Sequence, residues 1–222
     1  MADISAALVK QLRERTGAGI MDSKRALEET GGDLEKAEDV LRKKGIAKAA
    51  SKAGRTANEG IVSSYLHNSG SGAKLGVLVE LNCESDFVAK TEDFHALARE
   101  IALQVAGASP RYVRREEVPG DVVAREVDIY RAQAAGKPEN VVEKIVTGKL
   151  EDFYRQVVLL DQVWIKDEQR RKRVDDLIKD AIAKVGENIS VARFARFVVG
   201  EAPRNGDGGA AGGAATTESA GA

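Results

Sequence analysis

The chain has 222 residues, 43% of them hydrophobic and 31% charged, which excludes wholesale disorder and fits one sizeable core with a small accessory domain. A net charge of -1 and a pI near 6.2 lack the positive field of a non-specific nucleic-acid binder. The single cysteine, Cys83, excludes an internal disulfide and a paired-thiol zinc site, and no stretch has the apolar length of a signal peptide or a membrane span. The expected setting is therefore the reducing cytoplasm.

From the N-terminus, Ile4, Leu8 and Leu12 recur at helical spacing with Ala7 beside them, and Asp3 is placed to cap the first turn. Thr16-Gly17-Ala18-Gly19 reverses the chain, and a second helix runs from about Ile20 to Glu29 with Leu27 inward. Gly31-Gly32 ends it. Asp33 then caps a third helix whose Leu34, Ala37 and Leu41 share a face, with Arg42, Lys43 and Lys44 at the negative end of its dipole. The prediction is a three-helix domain over 1–46 and a linker over 47–59, in a stretch rich in Ala, Lys and Gly that is at most partly helical.

The pattern then changes. Ile61, Val62, Tyr65 and Leu66 predict a strand, a Gly/Ser loop follows, and Leu75, Val77, Val79, Leu81 and Cys83 alternate as the apolar face of a second strand. Phe94, Leu97, Ala98, Ile101, Ala102 and Val105 form a helical stripe suited to cover that face. Over 119–156, Val123, Val127, Tyr130 and Ala134, then Val142, Val146, Leu150 and Phe153, predict two antiparallel helices reversing at Gly136-Lys137-Pro138. Val157 to Ile165 is expected to be a strand or extended crossing. Leu177, Ile178, Ala181, Ile182 and Val185 mark a core helix ending at Gly186, and Ile189 to Val199 a last strand. Arg193 and Arg196 fall on opposite faces of that strand if it is regular, which raises the prospect of a bulge or an exposed edge. The fold class is α+β: an antiparallel β-sheet core over 60–201 with packed helices and a protruding helical hairpin, then a Gly/Ala-rich tail over 202–222 expected to be disordered.

Few residues offer chemistry. The glycines from Gly70 to Gly76 lie between two strands with the wrong spacing for a phosphate loop. His67 and His95 have no second imidazole or thiol at ligand spacing, and Cys83 reads as a small core side chain. Two basic runs, Arg42 to Arg55 and Arg170 to Arg173, have no interleaved aromatics to stack on bases. What remains is Cys83-Glu84-Ser85-Asp86-Phe87-Val88-Ala89-Lys90, where Ser85 or Asp86 can cap the next helix and Phe87 stands outside the apolar stripe, as an anchor for another protein would.

Two segments carry a resemblance. Arg15-Thr16-Gly17-Ala18-Gly19 with Ile20-Met21-Asp22, and Asn82 through Lys90, closely resemble the signature regions of the bacterial translation elongation factor Ts family. The likeness extends through Gly136-Lys137-Pro138 to Gly186-Glu187-Asn188-Ile189, with Ser85 where that family usually has Thr and Ile20 where it often has Met. The resemblance implies a nucleotide exchange factor with no catalytic chemistry or cofactor of its own, whose partner is the GTPase elongation factor Tu. It implies that the N-terminal helices are similar to ubiquitin-associated domains and grip the partner through Arg13, Ile20 and Met21. It further implies that Ser85, Asp86, Phe87 and Val88 form the exchange site, with Phe87 wedging beside the partner's magnesium ion, Asp86 disturbing the groups that hold it and Val88 packing alongside. Membrane association and direct nucleic-acid binding are not expected, and a homodimer stays open. Two rival classes stay open as well: a small RNA- or ribosome-associated protein using the basic runs, and an adaptor using the N-terminal helices alone. An enzyme is the least favoured class.

Overall fold

The computed structural model describes residues 4–68, 70 and 72–201; the expected cap Asp3 and the expected tail from residue 202 lie outside the described residues. Three helices come first: α1 Ala6–Thr16, α2 Ile20–Glu29 and α3 Leu34–Ala50. Ser5 caps α1 by accepting a bond from the Leu8 amide, and Asp33 does the same for α3 at the Lys36 amide. Gly17, with φ at 69°, ends α1 in a left-handed turn that other residues adopt at a cost. Val9, Leu12, Ala26, Leu27, Ala37 and Leu41 close a small core of their own.

Helix α3 departs from the sequence expectation, because it runs on to Ala50 where a linker is predicted. Its last turns carry Ala47, Ala49 and Ala50, of high helix propensity, and together with Gly45 they keep this side small enough to approach a neighbour closely. That neighbour is α8, Val174–Val185. A Cβ on Gly45 would lie 3.3 Å from the Ala183 methyl, Lys48 Nζ donates to the Ala183 carbonyl at 2.8 Å, and Ala49 is buried in the main core. One continuous helix thus ties the N-terminal helices to the rest of the chain.

The main core is built on a three-stranded antiparallel sheet in the order β1 Glu59–Asn68, β2 Ala73–Cys83 and β3 Ile189–Val198. One face of β2, formed by Val77, Val79, Leu81 and Cys83, is buried. Against it lies α5, Glu92–Ala108, with Phe94, Leu97, Ala98, Ile101, Ala102 and Val105 all buried. In β3, Glu80 pairs with Arg193 but Leu81 pairs with Val191, so Ala192 is a bulge. The bulge precedes both arginines and leaves them on opposite faces. Arg193 bonds Glu80 on the outer side at 2.7 Å, and the largely covered Arg196 bonds Glu201 at 2.7 Å.

Helices α6 Gly120–Gln133 and α7 Glu139–Val157 form the antiparallel pair around Gly136. Their base is anchored by Val118, Phe153, Val157 and Val158, and by Arg115, whose guanidinium bonds both oxygens of Glu151 and both of Asp161 at 2.7–2.8 Å and lies over the Tyr154 ring. Of the two expectations for the segment after α7, a strand or an extended crossing, the structure shows no regular strand. Helix α7 itself reaches Val157, a short 3-10 turn spans Leu159–Asp161, and only single bridges follow, Tyr112 to Val158 and Val163 to Arg173. Buried Gln104 and Gln162 hold this stretch on α5: Gln104 donates to Gln162 at 3.1 Å and accepts from the Ile165 amide at 2.9 Å.

Gly60 stands opposite Asn82 where β1 passes the end of β2, and a Cβ there would meet the Leu81 carbonyl oxygen at 2.2 Å. Gly60→Ala must push the two backbones apart, so equilibrium urea unfolding is expected to show a loss of about 1–3 kcal/mol. An unchanged midpoint would contradict the close approach.

Candidate functional site

Strand β2 ends at Cys83, whose side chain sits in the core and whose thiol is pushed up in pKa, first by burial and next by the Glu187 charge. Such a thiol is a poor nucleophile at neutral pH. Glu84 and Ser85 follow, and the chain then makes a single helical turn, α4, Asp86–Ala89. The Ser85 hydroxyl caps that turn by accepting from the Val88 amide at 3.4 Å. A helix this short gains nothing from propagation, so contacts to the rest of the protein must hold it.

The turn divides its side chains sharply. Val88 is 5% exposed and packs with Ala89 into the main core, whereas Phe87 is 76% exposed, the most open large apolar side chain among the described residues. An aromatic ring left in water on a backbone anchored by its neighbours is poised to be buried by something else. Beside it Asp86 reaches Lys90 at 2.6 Å; the lysine holds the carboxyl below its usual range, and the carboxylate in turn raises the lysine. Asp86 is therefore charged at neutral pH.

The backbone under the turn is clasped by the two residues that lead into β3. The Ser85 amide and hydroxyl donate to the two oxygens of Glu187, at 3.0 and 2.6 Å. In return Glu84 accepts from the Asn188 amide at 2.7 Å, which with the help of Arg55 holds its carboxyl below the usual range. Asn188 Nδ2 donates to the Arg55 carbonyl at 2.6 Å. Sequence reasoning does not single out Glu187 for this role, because 102 residues separate it from Ser85 and no local pattern signals the meeting. The only prior signal was its place in the Gly186-Glu187-Asn188-Ile189 segment.

Arg13, Ile20 and Met21 lie apart from this corner, on helices that pack around the N-terminal core. Arg13 is exposed on the last turn of α1, and Ile20 and Met21 open α2 with 59% and 58% exposure. The expected residues thus fall into two groups: Ser85, Asp86, Phe87 and Val88 are contiguous on one turn, and the other three flank the Thr16–Gly19 reversal. Val88 differs from the rest in facing inward. Among the described residues no cluster of three metal-ligating side chains occurs, and no helix is long and apolar enough to cross a membrane.

Residues 43–201 match the family model described as elongation factor TS. The chain is 61% identical over 203 residues to the elongation factor Ts of Anaeromyxobacter dehalogenans strain 2CP-1, covering 90% of each protein. It is 57% identical over 203 residues to that of Desulforamulus reducens, covering 90% of this chain and 91% of the relative. With that of Thermotoga petrophila it shares 57% over 199 residues, covering 90% of this chain and 98% of the relative.

Proposed function

Because the chain belongs to the elongation factor Ts family of translation elongation factors, we propose that it docks on the GTPase elongation factor Tu in the cytoplasm and loosens the GDP bound there. The observation that carries this reading is the exposed ring of Phe87 on a backbone fixed from below. Arg13, Ile20 and Met21 grip the partner, and the α4 turn presses on its nucleotide site. Phe87 enters between elements beside the partner's magnesium ion. Asp86 helps disturb the groups that hold the ion, with Ser85 and the buried Val88 supporting the turn.

No bond is made or broken in such a mechanism. If the factor binds the nucleotide-free partner more tightly than the GDP form, GDP binds the complex more weakly by the same ratio. Magnesium neutralises phosphate charge, so displacing it weakens the nucleotide's hold. One aromatic anchor contributes about 2 kcal/mol, or roughly 30-fold in affinity. The basic runs support this reading over nucleic-acid binding, since several of their members are already matched by carboxylates: Lys44 by Glu29, Arg55 by Glu84, Lys172 by Asp180 and Arg173 by Asp161.

The outer face of the sheet bears on the assembly. Val62 and Leu66 of β1, Leu78 of β2, Phe197 of β3 and Val199 beyond it leave a continuous apolar strip exposed. We propose that a second copy of this chain covers it. The sequence after Glu201 contains no Val, Ile, Leu, Met or aromatic residue to fill the strip, and with a net charge of -1 two copies do not repel strongly.

Phe87→Ala should fold normally yet slow stimulated release of fluorescent GDP from elongation factor Tu by roughly 30-fold at subsaturating factor; an unchanged rate would remove Phe87 from the mechanism. In sedimentation velocity the intact chain should run as a dimer and Phe197→Asp as a monomer, whereas a wild-type monomer at tens of micromolar would refute the sheet-face pairing.

A further inference from the structure

Glu187 lies outside the exposed turn, yet it accepts both polar hydrogens of Ser85, the residue on which that turn is built. Three observations converge on it. The turn has four residues, too few to be stable alone. Its cap, Ser85, spends its hydroxyl proton on Glu187 at 2.6 Å and keeps an oxygen lone pair for the Val88 amide, so the carboxylate orients the hydroxyl in its capping direction. And the reciprocal bond that the Asn188 amide donates to Glu84 makes the contact a two-way clasp at the point where Cys83 pairs with Ile189.

We infer that Glu187 is a positioning residue for nucleotide exchange: its carboxylate, bound to the Ser85 amide and hydroxyl, holds the α4 turn rigid so that Phe87 meets the partner already in its docked direction. The inference rests on the reading of Phe87 as the wedge. A ring that must be ordered during docking forfeits binding free energy to lost conformational freedom, and one held beforehand does not. Val88 sets the depth of the turn through the core, and Glu187 sets its orientation through hydrogen bonds. The role needs no titration of Glu187 and no contact with nucleotide.

The test is a double-mutant cycle on stimulated release of fluorescent GDP from elongation factor Tu, with full-length protein at a temperature where every variant is folded by circular dichroism. Glu187→Ala should lower the apparent second-order exchange rate about tenfold, while Glu187→Gln, which keeps one acceptor, should recover part of it. Added to Phe87→Ala, Glu187→Ala should cause little further loss, because an orienting residue has nothing left to orient. Multiplicative losses, or a full rate for Glu187→Ala beside a slow Phe87→Ala, would overturn the positioning role and leave the wedge intact. A full rate for Phe87→Ala would overturn both. If Glu187→Ala does not fold, the same cycle with Glu187→Gln decides, and additivity there counts against the proposal.

Discussion

The seal between the apolar stripe of α5 and the inner face of β2 is the contact on which the rest depends. With Val77, Val79, Leu81 and Cys83 buried against Phe94, Leu97, Ile101 and Val105, the last residue of β2 has one place to be. Everything beyond Cys83 is then measured from a fixed point. Four residues on, Phe87 has no room inside, since Val88 and Ala89 already occupy the inward side of the turn. Its exposure is a consequence of packing that is complete without it, and burial of such a ring against a partner releases apolar surface from water at little ordering cost.

Polar contacts complete what the core begins. Hydrophobic packing sets the depth of the α4 turn but is non-directional, so it leaves the turn's rotation open. The bonds from Ser85 to Glu187 and from Asn188 to Glu84 are directional, and they tie the turn to the residues leading into β3, the strand that pairs with β2. The same division of labour recurs at the base of the helical pair, where Val118, Phe153 and Val158 provide the seal and Arg115 between Glu151 and Asp161 provides the angle.

Much of this was legible in the sequence because it rests on period and punctuation. The stripe from Phe94 to Val105, the alternation from Leu75 to Cys83, and the stops at Gly31, Gly136 and Gly186 each signal local structure without reference to the rest of the chain. The departures have tertiary causes. The end of α3 looks like a linker because Ala49 and Gly45 are small, and smallness becomes an advantage only once α8 lies against them. The stretch after Val157 reads as either a strand or an extended crossing because it is rich in β-branched and aliphatic residues, and the bonds of Gln104 and Gln162, not visible locally, hold it as an irregular crossing. At the site, Phe87 was visible as an aromatic at a turn ahead of the helical stripe that begins at Phe94, while Glu187 was not, since its meaning lies in a pairing 102 residues distant.

A factor that loosens GDP must bind the nucleotide-free partner more tightly than the GDP-bound one. Titration calorimetry of this protein into elongation factor Tu, once stripped of nucleotide and once saturated with GDP and magnesium, tests it most directly. Much tighter binding to the stripped form is expected, by the same ratio in which the factor weakens GDP binding. Equal affinity for the two forms would contradict it.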